Sequence, residues 1–148
     1  MRIVPLLLLV GASPNWAGDA FGVWRVNPAS SIDPRSSLES LTVRFEPHTK
    51  GKVFTLDRTD RDGRSTTSST ILYFDSQPRE FRGFACSGTQ SSRRVDSQTV
   101  EILRTCTSGE WTRYVRRLSP RPKELALEIT EQQADGQRLE RRLVLEKH

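Results

Sequence analysis

The side chains best suited to holding a ligand are concentrated in Trp111-Thr112-Arg113-Tyr114-Val115. In an extended strand, neighbouring side chains point to opposite faces. Trp111, Arg113 and Val115 therefore share one face, and Tyr114, Arg116 and Leu118 share the other. An arginine beside an aromatic ring on an inward face would favour a small anionic or aromatic ligand. Without a ligand, a buried guanidinium would need a carboxylate partner, because burying a lone charge is costly. Tyr73, in the apolar run Ile71-Leu72-Tyr73-Phe74, joins Trp111 and Arg113 as a candidate ligand-binding residue. The alternative is that these arginines lie outside and the aromatics fill a dry core. The sequence leaves open which face of strand 110–118 points inward.

Other chemistries find little support. The two histidines are His48, in an expected turn, and His148 at the terminus. Neither has a partner nearby in sequence, and no Cys/His spacing or Asp/Glu cluster supports a metal site. Nucleophile-elbow, phosphate-loop and dinucleotide motifs are missing. The expectation is a non-enzymatic protein with no catalytic residues, metal or cofactor. The formal charge is +5, but the arginines are interleaved with Asp and Glu, as in Glu140-Arg141-Arg142. That distribution describes a solvated charged surface rather than a nucleic-acid footprint.

The elements that position these residues begin after an export signal. Met1-Arg2 precedes an apolar run, Ile3–Val10, interrupted only by Pro5 and followed by Gly11-Ala12-Ser13; cleavage could follow Ala12, Ala17 or Ala20, with Gly18-Asp19-Ala20 the best fit. This is the pattern of a secretory signal peptide over 1–20, and the run is shorter than a membrane-spanning helix requires. One mature domain, 21–148, is expected in the periplasm or outside the cell, with no transmembrane segment. In an oxidising compartment Cys86 and Cys106 are expected to pair.

From residue 21 the chain is cut at intervals by turn pairs: Lys50-Gly51, Asp62-Gly63, Ser87-Gly88, Asp96-Ser97, Ser108-Gly109, Ser119-Pro120 and Asp135-Gly136. Glycine tolerates the positive φ of tight hairpins. Between the turns, apolar residues recur every second position, as in Leu41/Val43/Phe45 and Leu125/Leu127/Ile129. The expected strands are 21–26, 40–46, 52–58, 67–75, 80–86, 92–96, 99–106, 110–118, 124–131 and 137–146, the last also suiting a helix. Asp33-Pro34 suits the start of a brief helix. Hairpin-linked strands leave two bare edges unless the sheet closes. The fold class is therefore all-β, an antiparallel up-and-down barrel of about 8–10 strands. Strand 92–96 would separate the strands ending at Cys86 and Cys106, so their bridge would require local bending.

The first mature strand, Gly22-Val23-Trp24-Arg25-Val26-Asn27-Pro28-Ala29-Ser30-Ser31, resembles the G-x-W-K-L-N-P-A-K-S opening of small exported bacterial lipocalin-like proteins. Gly22 and Trp24 match the lipocalin-type Gly-x-Trp signature, and Leu143–Lys147 is comparable with the V-x-E-K close of that family. The resemblance implies a lipocalin-like barrel, similar to fatty-acid-binding proteins, with an internal cavity or packed core. It also implies that Trp24 packs across the closed base beneath an arginine from a late strand: Arg116, Arg117, Arg141 or Arg142. The lumen Arg-x-Tyr of the fatty-acid-binding branch is not matched, because Arg113-Tyr114 has no intervening residue. The expected function is binding of a small, partly apolar or anionic molecule. The alternative is an envelope interaction module with a filled barrel. Ligand identity and oligomeric state are not readable from these residues.

Overall fold

A computed structural model describes residues 20–34, 38–83, 86–119 and 124–148. The expected signal segment, apart from Ala20, lies outside these residues. Ten antiparallel strands form one sheet: β1 (Gly22–Val26), β2 (Leu38–His48), β3 (Gly51–Asp60), β4 (Ser65–Leu72), β5 (Arg79–Arg82), β6 (Ser87–Arg94), β7 (Thr99–Cys106), β8 (Trp111–Leu118), β9 (Glu124–Gln132) and β10 (Arg138–Lys147). Consecutive strands pair except at the β4–β5 step, and β1 joins β10, giving the order β4-β3-β2-β1-β10-β9-β8-β7-β6-β5. The sheet curls into a nearly closed barrel, with a gap between its two edges, β4 and β5.

The alternating pattern fixes which side faces in. Leu41, Val43 and Phe45 of β2 meet Phe54 of β3, Ile102 of β7, Leu125 and Leu127 of β9, and Leu143 and Leu145 of β10 in one core. The ends of the barrel differ. At the base, Trp24 is 1% exposed, and its indole N–H donates to the Ala20 carbonyl at 2.8 Å. The cation over the Trp24 ring is Lys147, at 5.9 Å, rather than one of the four arginines expected there. Arg116 lies instead over Phe45, at 5.4 Å. The final strand sets this arrangement: Trp24 pairs with Lys147 in register, which brings the lysine to the indole. Gly22 adopts φ 111°, and a Cβ there would lie 3.1 Å from the Lys147 side chain, so the signature glycine permits this approach.

Several local expectations change. The strand expected over 137–146 forms as β10, rather than the helix its composition also suits, with Leu139, Leu143 and Leu145 on one face beside β9. The brief helical turn forms at Pro28–Ser30, where Asn27 caps Ala29 at 3.0 Å. The brief helix expected to open at Asp33-Pro34 would run through 35–37, which lie outside the described residues; Asp33 itself is described. Its carboxylate accepts from the Leu38 N–H at 3.1 Å and binds Arg141 at 3.0 Å. Ser87-Gly88 is not a turn but the start of β6. A Cβ on Gly88 would stand 1.9 Å from the Thr105 carbonyl, so this glycine serves a close strand approach.

The strand expected over 80–86 ends at Arg82, and Cys86 leads into β6 beside β7. No strand separates the cysteines. The Cys86–Cys106 disulfide spans 5.4 Å between Cα atoms, within the usual range.

Candidate functional site

The lumen opens at the end opposite Trp24, where a cavity of about 240 Å³ reaches inward between Leu38 and Leu41 on one side and Tyr114 and Ile129 on the other. Polar groups line it as well as apolar ones, and their arrangement separates two kinds of arginine.

At the mouth, the charges are neutralised in pairs. Arg141 is 4% exposed, and its side chain binds Asp33 at 3.0 Å and Glu131 at 3.0 Å. Arg58 binds Asp60 at 2.7 Å. Arg141 thus ties the segment after β1 to the rim of β9 and β10. Removing one partner of such a pair leaves the others buried without compensation. The Arg141→Met variant is expected to lose about 1–3 kcal/mol of stability, discounted because Asp33 and Glu131 are partly wet. Chemical denaturation reads the loss, and faster amide exchange at Ile32 and Leu38 would mark the freed segment.

Deeper in the lumen, Arg104 of β7 is 7% exposed and has no carboxylate at ion-pair distance among the described residues. Its Nε donates to Gln90 Oε1 at 2.7 Å, Nη2 to Thr70 Oγ1 at 3.3 Å, and Nη1 to the Tyr114 hydroxyl at 3.4 Å. Phe81, Tyr114 and Phe54 surround the guanidinium at 4.3, 5.3 and 5.6 Å from their ring centres. Burial pushes its pKa below the ordinary arginine value, while the Tyr114 phenol opposes that shift. Arginine remains protonated in proteins. The lumen therefore contains a desolvated cation held by neutral hydroxyl and amide groups and aromatic faces, with apolar walls beside it.

A second space, of about 330 Å³, occupies the gap between β4 and β5. At the base end the chain after β4 crosses directly to β6: the N–H groups of Phe74 and Ser76 donate to the Ser92 hydroxyl and carbonyl at 3.0 and 2.9 Å. Phe74 and Ser76 take φ of 59° and 63° to make this bend. At the rim, Arg79 stacks 3.8 Å over the Tyr73 ring and pairs with Asp75, whose carboxyl is thereby lowered to about 2, assisted by the Gln77 N–H.

Of the residues singled out by sequence, Tyr73 lines this gap chamber. Trp111 and Arg113 lie on the outer face of β8, away from the lumen. Arg138 lies 5.5 Å from the Trp111 ring, and Arg113 pairs with Glu101, which also holds Arg93 at 2.7 Å. Glu101 is held below its usual pKa, chiefly by Arg93, against desolvation and with help from Arg113. The inward face of β8 is Thr112, Tyr114 and Arg116, because Tyr114 stands opposite Ile102 and Ile129 in register. On β8 it is Tyr114, rather than Trp111 or Arg113, that faces the lumen.

Arg104, Gln90, Thr70 and Phe81 were not singled out by sequence. For Arg104 a signal was available: it continues the inward series Val100, Ile102, Arg104, Cys106. Gln90 and Thr70 lie in Ser/Thr-rich stretches with no apolar alternation to orient them.

No protein-family model matches the chain, and no curated protein matches it in sequence. Among solved structures it is similar to zebrafish ileal bile acid-binding protein complexed with cholic acid, with a TM-score of 0.54 and 12% identity over 86% of this chain and 98% of that one. No helix among the described residues is long and apolar enough to cross a membrane. The likeness and the ten-strand antiparallel sheet show the fold: the chain forms a lipocalin-like calycin barrel.

Proposed function

We propose that the protein is an exported, non-enzymatic binder of a small amphipathic anion. The apolar body of the ligand would lie among Leu41, Leu56, Ile129 and Leu143, and its acidic group would face Arg104. The observation that carries this reading is the desolvated Arg104 guanidinium, which no carboxylate among the described residues neutralises and which is set against apolar walls. An anionic ligand supplies the missing charge in a setting where charge-assisted hydrogen bonds are strong. The cavity, about 240 Å³, falls below the roughly 300 Å³ usual for drug-sized ligands, which favours a short acid. The zebrafish protein, solved with cholic acid, supplies the precedent of a bound acid in this fold. Export is supported by the disulfide, which suits an oxidising compartment.

Isothermal titration with octanoate and octylamine tests the reading, because the two share an apolar chain and differ in charge. Octanoate is expected to bind at one site and octylamine not to bind. Equal binding of both, or of neither, sinks it.

A further inference from the structure

The β4–β5 gap chamber and the lumen cavity share a wall. Phe81, on the inner side of edge strand β5, lines both. Thr70 and Gln90, two of the groups that hold Arg104 in the lumen, also line the gap chamber. The Arg104 cluster therefore stands at the boundary between a lumen cavity whose exposed lining is mostly carbon and a gap chamber whose lining is more polar. The lumen side is walled mainly by leucine, isoleucine and aromatic carbon. The gap side presents hydroxyls, amides and the Tyr73–Arg79 stack. Edge strand β5 is four residues long and pairs on one side only, and its inward Phe81 ring is buried against the Arg104 guanidinium. A short edge strand is the part of a sheet that yields at least cost.

We propose that the gap chamber is a second subsite, joined to the lumen behind Phe81, which takes the hydrogen-bonding polar end of an amphipathic acid whose apolar body occupies the lumen. This rests on the lumen reading above and extends it to a ligand class: acids that carry an amide or hydroxyl group next to the charge, rather than plain alkyl acids. Three features agree. The lumen alone is small for a ligand, whereas the gap adds a space of about 330 Å³. Thr70 and Gln90 both bond Arg104 and line the gap, so a ligand whose polar end extends past Arg104 enters the gap beside them. The outer rim carries Arg79, fixed by Asp75 and stacked on Tyr73, where a second polar group would emerge.

The experiment compares octanoate with N-octanoylglycine, which inserts one amide before the same carboxylate. Affinities are measured calorimetrically for the wild type, Arg79→Ala, Tyr73→Ala and Arg104→Leu. Arg79 and Tyr73 lie at the rim, so both rim variants should fold, which circular dichroism verifies. The wild type is expected to bind the glycine conjugate at least about tenfold more tightly than octanoate, one hydrogen-bonded group being worth roughly that factor. Arg79→Ala should remove most of this advantage and leave octanoate unchanged, and Tyr73→Ala, which takes the ring from under Arg79, should reduce the advantage as well. Arg104→Leu should weaken both ligands.

Equal affinity of the wild type for the two acids, or an advantage untouched by both rim variants, overturns the second subsite while the lumen reading stands. Failure of both acids to bind the wild type overturns the two together.

Discussion

The Arg104→Leu variant is expected to bind octanoate about 10- to 150-fold more weakly than the wild type while melting no lower. The first half follows from the strength of a charge-assisted hydrogen bond, about 1.5–3 kcal/mol, at roughly tenfold per 1.4 kcal/mol. The second half distinguishes a binding group from a structural one. A guanidinium that is 7% exposed has lost most of its hydration, and no carboxylate among the described residues compensates. Replacing a buried charge by an apolar group of similar length is often neutral or stabilising. The neighbours left behind are not stranded, because Gln90 and Thr70 already bond each other at 3.2 and 3.3 Å. A stability measurement and a titration on the same variant decide the matter. A melting temperature lowered by many degrees with octanoate binding intact would make Arg104 a structural plug held by three aromatic rings, and the lumen would lose its claim to an anion.

The barrel itself was readable because its strands obey one rule. Leu41/Val43/Phe45 and Leu125/Leu127/Ile129 each bury every second residue, and such a pattern places a strand before any partner is known. The β8 strand defeated the same rule. Both its faces carry an arginine and an aromatic ring, so alternation alone cannot orient it. The deciding facts are the residues opposite, Ile102 and Ile129, which only the register supplies. Composition also misled at Ser87-Gly88, where a glycine needed for close backbone approach looks the same as one needed for a turn. Arg104 was overlooked for a related reason. A charged residue within an otherwise apolar alternation looks like the end of a buried face, whereas here it marks the point at which that face acquires chemistry.

A second large effect is expected at the disulfide. The cysteines are 20 residues apart, and closing a loop of that length is worth about 3 kcal/mol by chain entropy. For a domain of this size the double variant Cys86→Ser, Cys106→Ser should melt about 10 °C lower than the oxidised protein. The loss should also be uneven. The bond fixes the connection that leads from β5 into β6, and Cys86, Gly83 and Phe81 of that connection form part of the lumen wall. β5 pairs with β6 alone, so with the bond removed this edge is the first part of the sheet expected to open. Amide exchange should therefore accelerate at Phe81 and Arg82 well before Leu127 or Leu143, and octanoate affinity should fall along with it. Uniform acceleration across the barrel would show that the bond acts only on the unfolded chain. An unchanged melting temperature would show that the pairing of β6 with β7 already supplies the order attributed to the disulfide. The combination of a local opening and a weakened site is what connects the cysteine pair to the lumen, because only a wall that moves can alter what the cavity holds.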